Sequence, residues 1–458
     1  MPSTTSIKAP TQCKEPAGCP IDNIPMKFLQ QIFILADKGS IPSPTEVRME
    51  KPIGFNLMQV SQRWKEAARL TPDLWTRITI YHPNDDTLLK TQLCLTHSNN
   101  QPLEVVINQR KHKSFFFKES PRGIADTFDR IIPHLHCCRL LESYEPIGET
   151  AIIDRLCALG PNDLPNLKEI VFNATNWVDG APKFFEMLRT LPSLRRLEWD
   201  GGLPNPSTLT AVSGAGLTKI SLGRIHMDEA ISLLKATPQV VEFRVIGLFE
   251  ANLSQWTAQR VTLLNLKTLN IGGCDRAQSL FDHLRLPSLK VLTLCESHPN
   301  IEDTALLRLL STSHCILTSL HLGLGDFTEL DLHKRLARLS DRLAFLKQLE
   351  VDLRGNDNYL TQESFKWLSP VPMLFFPKLI SLRLRVCQVT MGDIADMVQA
   401  RSNNGAPLQS LKLETDDTGY ESGVDEENAL ESLKAALLER GITPGDRVGQ
   451  LRIALVTA

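Results

Sequence analysis

The sequence lacks the cysteine patterns that hold small secreted domains or zinc sites together. Its ten cysteines are scattered over 458 residues, and none of them forms a C-x-x-C pair. This scatter excludes a disulfide-stapled scaffold and a zinc ribbon. We therefore expect reduced, mostly buried thiols in a cytoplasmic or nuclear protein.

The sequence also has little net charge and no long apolar run. Lys and Arg total 50 against 52 for Asp and Glu, so the net charge is −2. This balance argues against a protein that coats nucleic acid or an anionic membrane. Uncharged stretches are interrupted by proline and polar residues, so no transmembrane helix is expected. Residues 1–20 are polar and contain four prolines, which predicts a flexible leader rather than a signal peptide.

Catalytic signatures are absent as well. The chain contains no G-x-x-x-x-G-K-[ST], H-E-x-x-H or G-x-S-x-G, and no G-x-G-x-x-G that opens a helix. We expect no enzyme activity, no catalytic residue, no cofactor and no metal. His134, His136, Cys137 and Cys138 lie close together. No second ligand pair follows them, so ordinary packing is favoured over metal binding.

What the sequence does contain is a repeat. An L-x-x-L-x-L pattern, with substitutions, recurs at a mean spacing of about 27 residues. Helix-start signals such as Asp228 and Asp303 lie between the matches. Two weaker strands are expected near Leu103–Ile107 and Cys138–Leu141. The matches begin at Leu167, Leu194, Leu217, Val240, Leu266, Leu289, Leu317, Leu346, Leu379 and Leu408.

This repeat predicts an α/β fold over residues 81–458. The expected architecture is an irregular leucine-rich-repeat solenoid, with a curved parallel sheet and outer helices. A C-terminal cap is predicted from about residue 425, with a helix over Asn428–Arg440 and a last strand near Leu451–Leu455. An acidic loop at 416–427 precedes the cap helix. The alternative is an ordinary α/β sheet in which the leucine spacing arose by chance.

Solvent-facing positions of the predicted strands are candidates for recognition of a partner. Side chains alternate along a strand, so the residues between the buried leucines point away from the core. The candidates carry both signs of charge, which favours a protein partner over a polyanion. Plain exposure to solvent is the alternative for each of them. The candidate positions are Arg244, Asn270, His321, Glu350, Asp352, Arg383, Arg385 and Lys412.

Residues 21–80 follow a different, helical pattern. Phe28, Leu29, Ile32 and Phe33 recur at helical spacing, and a second helix is predicted from Leu57 to Leu70. The stretch 37–56 between them is rich in proline and glycine and predicts an inserted loop. A segment this short cannot bury all of its large apolar side chains. We therefore expect some of them to dock on another domain or on a partner.

The two helical stretches resemble an F-box. The segment 24–33 (IPMKFLQQIF) resembles the opening L-P-x-E-I-L-x-x-I-F of that family, and 60–65 (VSQRWK) with 71–75 (TPDLW) is similar to its second half. Lys27 replaces the usual acidic residue, and the insertion at 37–56 is a second departure. An F-box followed by leucine-rich repeats is typical of a group of proteins abundant in fungi.

The resemblance implies a substrate-recognition subunit of a Skp–cullin–F-box ubiquitin ligase. The F-box would dock on a Skp-type adaptor, and through it on a cullin, while the repeats bind a protein substrate. Neither nucleic acid nor membrane is implied as a partner. The alternative is a non-ligase interaction scaffold in which the F-box-like helices cap the repeats. The implied adaptor contacts are Ile24, Pro25, Phe28, Leu29, Ile32, Phe33, Val60, Trp64, Leu74 and Trp75.

Overall fold

The structure is a computed structural model of the chain. It describes residues 23–39, 53–80, 85–108, 121–144, 151–173, 181–201, 216–249, 260–273, 277–295, 303–323, 334, 336–352, 368, 376–385, 391–415, 426–439, 442 and 452–457. The chain divides into two compact units, Met1–Glu142 and Ser143–Ala458. The predicted leader 1–20, the greater part of the insertion at 37–56 and nearly all of the acidic loop at 416–427 lie outside the described residues.

The first unit combines short helices with parallel strands. β1 pairs with β2 in parallel, and β3, within which the unit ends, is the next neighbour of β2. β2 and β3 are the two weaker strands that the sequence predicts. The elements are α1 (Met26–Gly39), α2 (Ile53–Leu57), α3 (Gln62–Arg69), a 3₁₀ turn (Pro72–Trp75), β1 (Arg77–Ile80), α4 (Asp85–His97), β2 (Leu103–Asn108), α5 (Pro121–Ile131), a 3₁₀ helix (Ile132–Cys137) and β3 (Cys138–Tyr144).

The prediction of a single helix over Leu57–Leu70 is wrong, because the helical structure is interrupted before Ser61. Ser61 is extended, with φ −157°, and its side chain accepts a hydrogen bond from the backbone N–H of Trp64 at 3.2 Å. A serine in this conformation caps the N-terminus of a helix. It therefore ends one helical stretch and starts α3.

The second unit is built on a parallel sheet. Its elements are α6 (Ala151–Cys157), β4 (Glu169–Phe172), α7 (Ala181–Arg189), β5 (Arg196–Trp199), β6 (Lys219–His226), α8 (Met227–Ala236), β7 (Glu242–Phe249), β8 (Val261–Thr262), β9 (Thr268–Gly272), α9 (Ala277–His283), β10 (Leu284–Arg285), β11 (Val291–Cys295), α10 (Asp303–Ser313), β12 (Ser319–Gly323), β13 (Gln348–Asp352), β14 (Ser381–Arg385), α11 (Met391–Asn403), β15 (Ser410–Thr415), α12 (Glu426–Glu439) and β16 (Arg452–Thr457).

Strands of this sheet follow one another in chain order. The order is β4-β5-β6-β7-β9-β11-β12-β13-β14-β15-β16, and the short strands β8 and β10 pair separately. Neighbouring strands pair in parallel from β4 to β16, and so do β8 and β10. The prediction of an α/β fold on a large parallel sheet is confirmed. A helix and a strand also occupy the predicted C-terminal positions.

A recurring backbone contact sets the register of these strands. The carbonyl of Lys168 accepts hydrogen bonds from both Arg195 N and Arg196 N, at 2.8 and 3.0 Å. The same double contact joins each strand of this sheet to the next, as far as β15. We call the accepting residues the strand-start row. They are Lys168, Arg195, Thr218, Val241, Lys267, Lys290, Thr318, Lys347 and Ile380.

The leucines of the repeat form the core on one face of the sheet. In one typical match, Leu266, Leu269 and Ile271 are all at most 1% exposed. Near β4 and β5 the core becomes aromatic, where Phe172 and Phe184 pack around the buried indole of Trp199. The sheet therefore has one apolar face, and its other face is left for polar side chains.

Candidate functional site

The helical module of the first unit, formed by α1, α2, α3 and the Pro72–Trp75 turn, has a small core of its own. Leu29 and Phe33 of α1 are each 1% exposed, and the Phe33 ring lies 5.0 Å from the ring of half-buried Trp64 in α3. Leu74 is 3% exposed and Trp75 is fully buried. Four of the implied adaptor contacts, Leu29, Phe33, Leu74 and Trp75, are thus occupied in holding the unit together.

Trp75 is the most connected of these side chains. Its indole N–H donates a hydrogen bond of 2.7 Å to the carbonyl of Ala68. The ring meets Phe55 edge-on at 5.3 Å and contacts the ring of His97 at 5.1 Å. A Cβ at Gly54 would lie 3.1 Å from the same ring. Trp75 therefore fixes α2, α3 and α4 around one side chain.

Other apolar side chains of the module stay exposed. Phe28, Ile32 and Leu35 are 60%, 47% and 69% exposed. Their spacing of four and then three residues places them on one face of α1. We call these three residues the α1 face. Val60 and Leu70, which flank α3, are also exposed, at 59% and 65%.

The α1 face includes a residue that the predicted contacts omit. Leu35 continues the helical spacing of Phe28 and Ile32, and this spacing could have revealed it in the sequence. Leu70 was omitted too. The side-chain amide of Gln30 donates to the carbonyl of Leu70 at 3.0 Å, which places Leu70 next to α1.

The first residues of the implied contact set serve the start of α1. Pro25 is exposed, and its carbonyl accepts hydrogen bonds from Phe28 N and Leu29 N at 2.9 and 3.1 Å. Ile24 is half-buried, and its carbonyl accepts a hydrogen bond from the guanidinium of Arg63. The bonds to Pro25 start the α1 helix, and the bond from Arg63 to Ile24 ties that start to α3.

The solvent-facing strand residues lie in one row, as the repeat predicts. Strand pairing places Arg244 beside Asn270. On the far side of Thr293 it aligns His321, Glu350, Arg383 and Lys412, one on each successive strand. Arg244 is exposed, and the other five candidate residues in this row are half-buried. We call this side of the sheet the polar face.

Charges on the polar face pair with one another. The guanidinium of Arg383 lies 3.1 Å from a carboxylate oxygen of Glu350, and His321 Nε2 lies 3.6 Å from the same oxygen. Asp352 was expected to point outward, but it is only 6% exposed. Arg385 pairs in register with Asp352 and Glu414.

A second charged group on the polar face was not predicted. Arg196 contacts Glu169 at 3.0 Å and Glu198 at 2.5 Å, and Lys219 contacts Glu242 at 3.0 Å. Partial burial opposes the charged form, but the hydrogen bonds to Glu198 and Glu169 prevail and raise the pKa of Arg196. Opposite charges at equivalent positions of neighbouring repeats, Glu169 beside Arg196 and Lys219 beside Glu242, were the signal that could have revealed this group.

The cysteine side chains that the structure describes are buried or half-buried. Every described cysteine is a free thiol, and burial raises the pKa of Cys94 and Cys138 to about 12. His136 Nδ1 lies 3.0 Å from the carbonyl of Pro133. Within the described ranges, no three or more His, Cys, Asp or Glu side chains cluster as metal ligands would.

No protein-family model matches the chain, and no curated protein matches it either. None of the helices in the described part of the chain has the length and apolar character needed to cross a membrane.

Proposed function

We propose that this chain is the non-catalytic substrate-recognition subunit of a Skp–cullin–F-box ubiquitin ligase, acting in the cytoplasm or the nucleus. The helical module would dock on a Skp-type adaptor, and the leucine-rich repeats would hold a protein substrate. The observation that carries the proposal is the exposed α1 face, in a segment whose sequence resembles an F-box.

The α1 face supplies a driving force for docking. Full burial of a large apolar side chain is worth about 1.5–3 kcal/mol. Phe28, Ile32 and Leu35 have roughly half or more of their surface still in water. Burying that remainder would contribute about 3 kcal/mol in total before the costs of association.

The buried residues of the module give this face its shape. Leu29 and Phe33 lie on the buried face of α1 next to it and anchor the helix to α3. Trp75 holds the end of α3 in place through its hydrogen bond to the carbonyl of Ala68. A rigid helix face loses little conformational entropy on binding, so its apolar area counts more fully toward affinity. The subunit's contribution to ubiquitin transfer is then proximity and orientation.

The test is binding of the full chain to a recombinant Skp-type adaptor. Phe28→Ala/Ile32→Ala/Leu35→Ala should weaken that binding at least about 30-fold, since about 3 kcal/mol of apolar burial is lost. Leu89→Ala/Leu438→Ala is the matched control, because those leucines are 60% and 57% exposed but lie outside the module. The control should bind like the wild type. Substitutions at Leu29 or Phe33 are avoided, because they would remove core packing.

Two results would contradict the proposal: failure of the folded wild type to bind the adaptor, or equal binding by the triple variant. Either result would favour the interaction scaffold instead. A deletion of residues 1–80 would not separate the two, because it removes β1, the partner of β2, together with Trp75. Both hypotheses predict that such a deletion destabilises the chain.

A further inference from the structure

Three lysines of the strand-start row form an exposed basic group on the second unit. Lys267, Lys290 and Lys347 are all exposed. Within the part of the chain that the structure describes, none of them has a carboxylate at ion-pair distance. This separates them from Arg196, Lys219 and Arg383 of the polar face, which contact carboxylates.

Backbone hydrogen bonds fix the spacing of these lysines. Lys290 N donates to Lys267 O at 2.9 Å, Thr318 N to Lys290 O at 2.8 Å, and Lys347 N to Thr318 O at 2.9 Å. Neighbouring strands lie about 4.8 Å apart. Three such steps separate Lys267 from Lys347, so the group extends over about 14 Å.

Large apolar side chains accompany the lysines. Leu264, Ile316 and Phe345 are 65%, 56% and 56% exposed. Ile316 and Phe345 are equivalent positions on adjacent repeats, each two residues before a member of the strand-start row. Leu264 stands three residues before Lys267. Exposed apolar residues that cluster at one edge mark an interaction site more often than scattered ones do.

We propose that this edge, Leu264, Lys267, Lys290, Ile316, Phe345 and Lys347, binds an acidic polypeptide segment that carries apolar side chains. Carboxylates of the segment would pair with the lysines, and its apolar residues would cover Leu264, Ile316 and Phe345. An extended chain advances about 3.3 Å per residue. About five residues would therefore span the three lysines. The proposal concerns a surface separate from the α1 face and stands without the adaptor.

The extent of the basic group favours a short peptide over nucleic acid or a membrane. The strand-start row is uncharged on both sides of it, at Thr218 and Val241 before and at Ile380 after. Polyanion binding gains from many dispersed positive charges. Three lysines spaced over about 14 Å suit a partner with a few carboxylates.

The experiment is a titration of the full chain with a labelled peptide in which Glu and Leu alternate. Two matched peptides replace Glu by Lys or Leu by Ser. Lys267→Glu/Lys290→Glu/Lys347→Glu and Leu264→Ser/Ile316→Ser/Phe345→Ser should each weaken binding of the Glu/Leu peptide at least about tenfold. Lys168→Glu/Arg195→Glu is the matched control, since these residues share the row but have polar residues, Asn166 and Ser193, at the position two residues before them.

The wild type should bind the Glu/Leu peptide more tightly than either matched peptide, and the control variant should bind like the wild type. The proposal is overturned if the wild type does not bind the Glu/Leu peptide, or if either triple variant binds it unchanged. Tighter binding to phosphatidylserine vesicles or to a single-stranded oligonucleotide would overturn it too.

Discussion

The helical module and the polar face of the sheet leave opposite kinds of surface exposed. On α1, apolar side chains remain in water while their neighbours Leu29 and Phe33 fill the core. On the polar face, Arg196, Lys219 and Arg383 already contact carboxylates within the fold. A partner gains apolar burial from the first surface without breaking any bond. On the second surface it must replace ion pairs, which contributes more to selectivity than to affinity.

The contrast follows from the two periodicities of the sequence. A strand with apolar residues at alternate positions has one apolar face, and the sheet buries it completely. α1 has apolar residues at 28, 29 and 32–35, which wrap around more than one side of a helix. One side can face the module core, so the other must remain exposed.

The largest effect that tests this contrast is expected at Trp75. Trp75→Ala removes a fully buried indole and its hydrogen bond to Ala68, so it should lower the free energy of unfolding by about 4 kcal/mol. Phe28→Ala in the same module should change it by at most about 0.5 kcal/mol, because the ring is mostly exposed. Urea denaturation followed by circular dichroism measures both.

The transition of the first unit should shift in Trp75→Ala and stay in place in Phe28→Ala. Equal losses in the two variants would show that the α1 face is covered within the fold, and the contrast between the surfaces would then fail. The same measurement on Leu35→Ala extends the comparison to the end of that face, where a small change is again expected.

The sheet register could be predicted from the sequence because it depends on one repeated spacing. Each L-x-x-L-x-L match became a strand whose apolar residues face the core, and even the row from Arg244 to Lys412 aligned as expected. Register needs only local periodicity, since a slip by one residue would expose every leucine.

Which apolar side chains of the helical module are buried and which are exposed could not be predicted in the same way. Phe28 and Leu29 are adjacent and both large, and the periodicity gives no sign of which one meets α3. That choice depends on where α2, α3 and the Pro72–Trp75 turn place Trp64 and Trp75, a matter of tertiary packing. Pairing of Glu350 with Arg383 likewise required the neighbouring strand to be known.

An intermediate effect is expected where two strands approach closely. A Cβ at Gly272, the last residue of β9, would lie 2.6 Å from the carbonyl oxygen of Ile246 in β7. A backbone carbonyl cannot swing aside, so Gly272→Ala should cost about 2 kcal/mol of unfolding free energy. Gly247→Ala is the control, because its nearest neighbour, a side-chain carbon of Arg224, would be 3.4 Å away.

Thermal or urea denaturation of the two glycine variants decides the point. Gly247→Ala should be neutral or stabilising by up to about 0.5 kcal/mol, because alanine restricts the unfolded chain. If both variants are equally stable, the close approach of β7 and β9 does not constrain this part of the sheet. The polar face would then be held by its side chains rather than by its backbone.

The smallest effect is expected from the ion pair of Glu350 and Arg383. Their side chains are 23% and 30% exposed, so a double-mutant cycle with Glu350→Ala and Arg383→Ala should give a coupling of about 0.5–1 kcal/mol. The control cycle uses Glu186 and Arg189, whose side chains are 64% and 59% exposed and whose charged atoms lie 3.5 Å apart. It should give about 0.3 kcal/mol.

At 1 M salt the Debye length falls to about 3 Å, so the control coupling should vanish first. Adaptor binding through the apolar α1 face should not weaken in the same salt series. A coupling above about 2 kcal/mol would instead make the pair a structural element of the sheet, and the polar face would then be too costly to open for a partner.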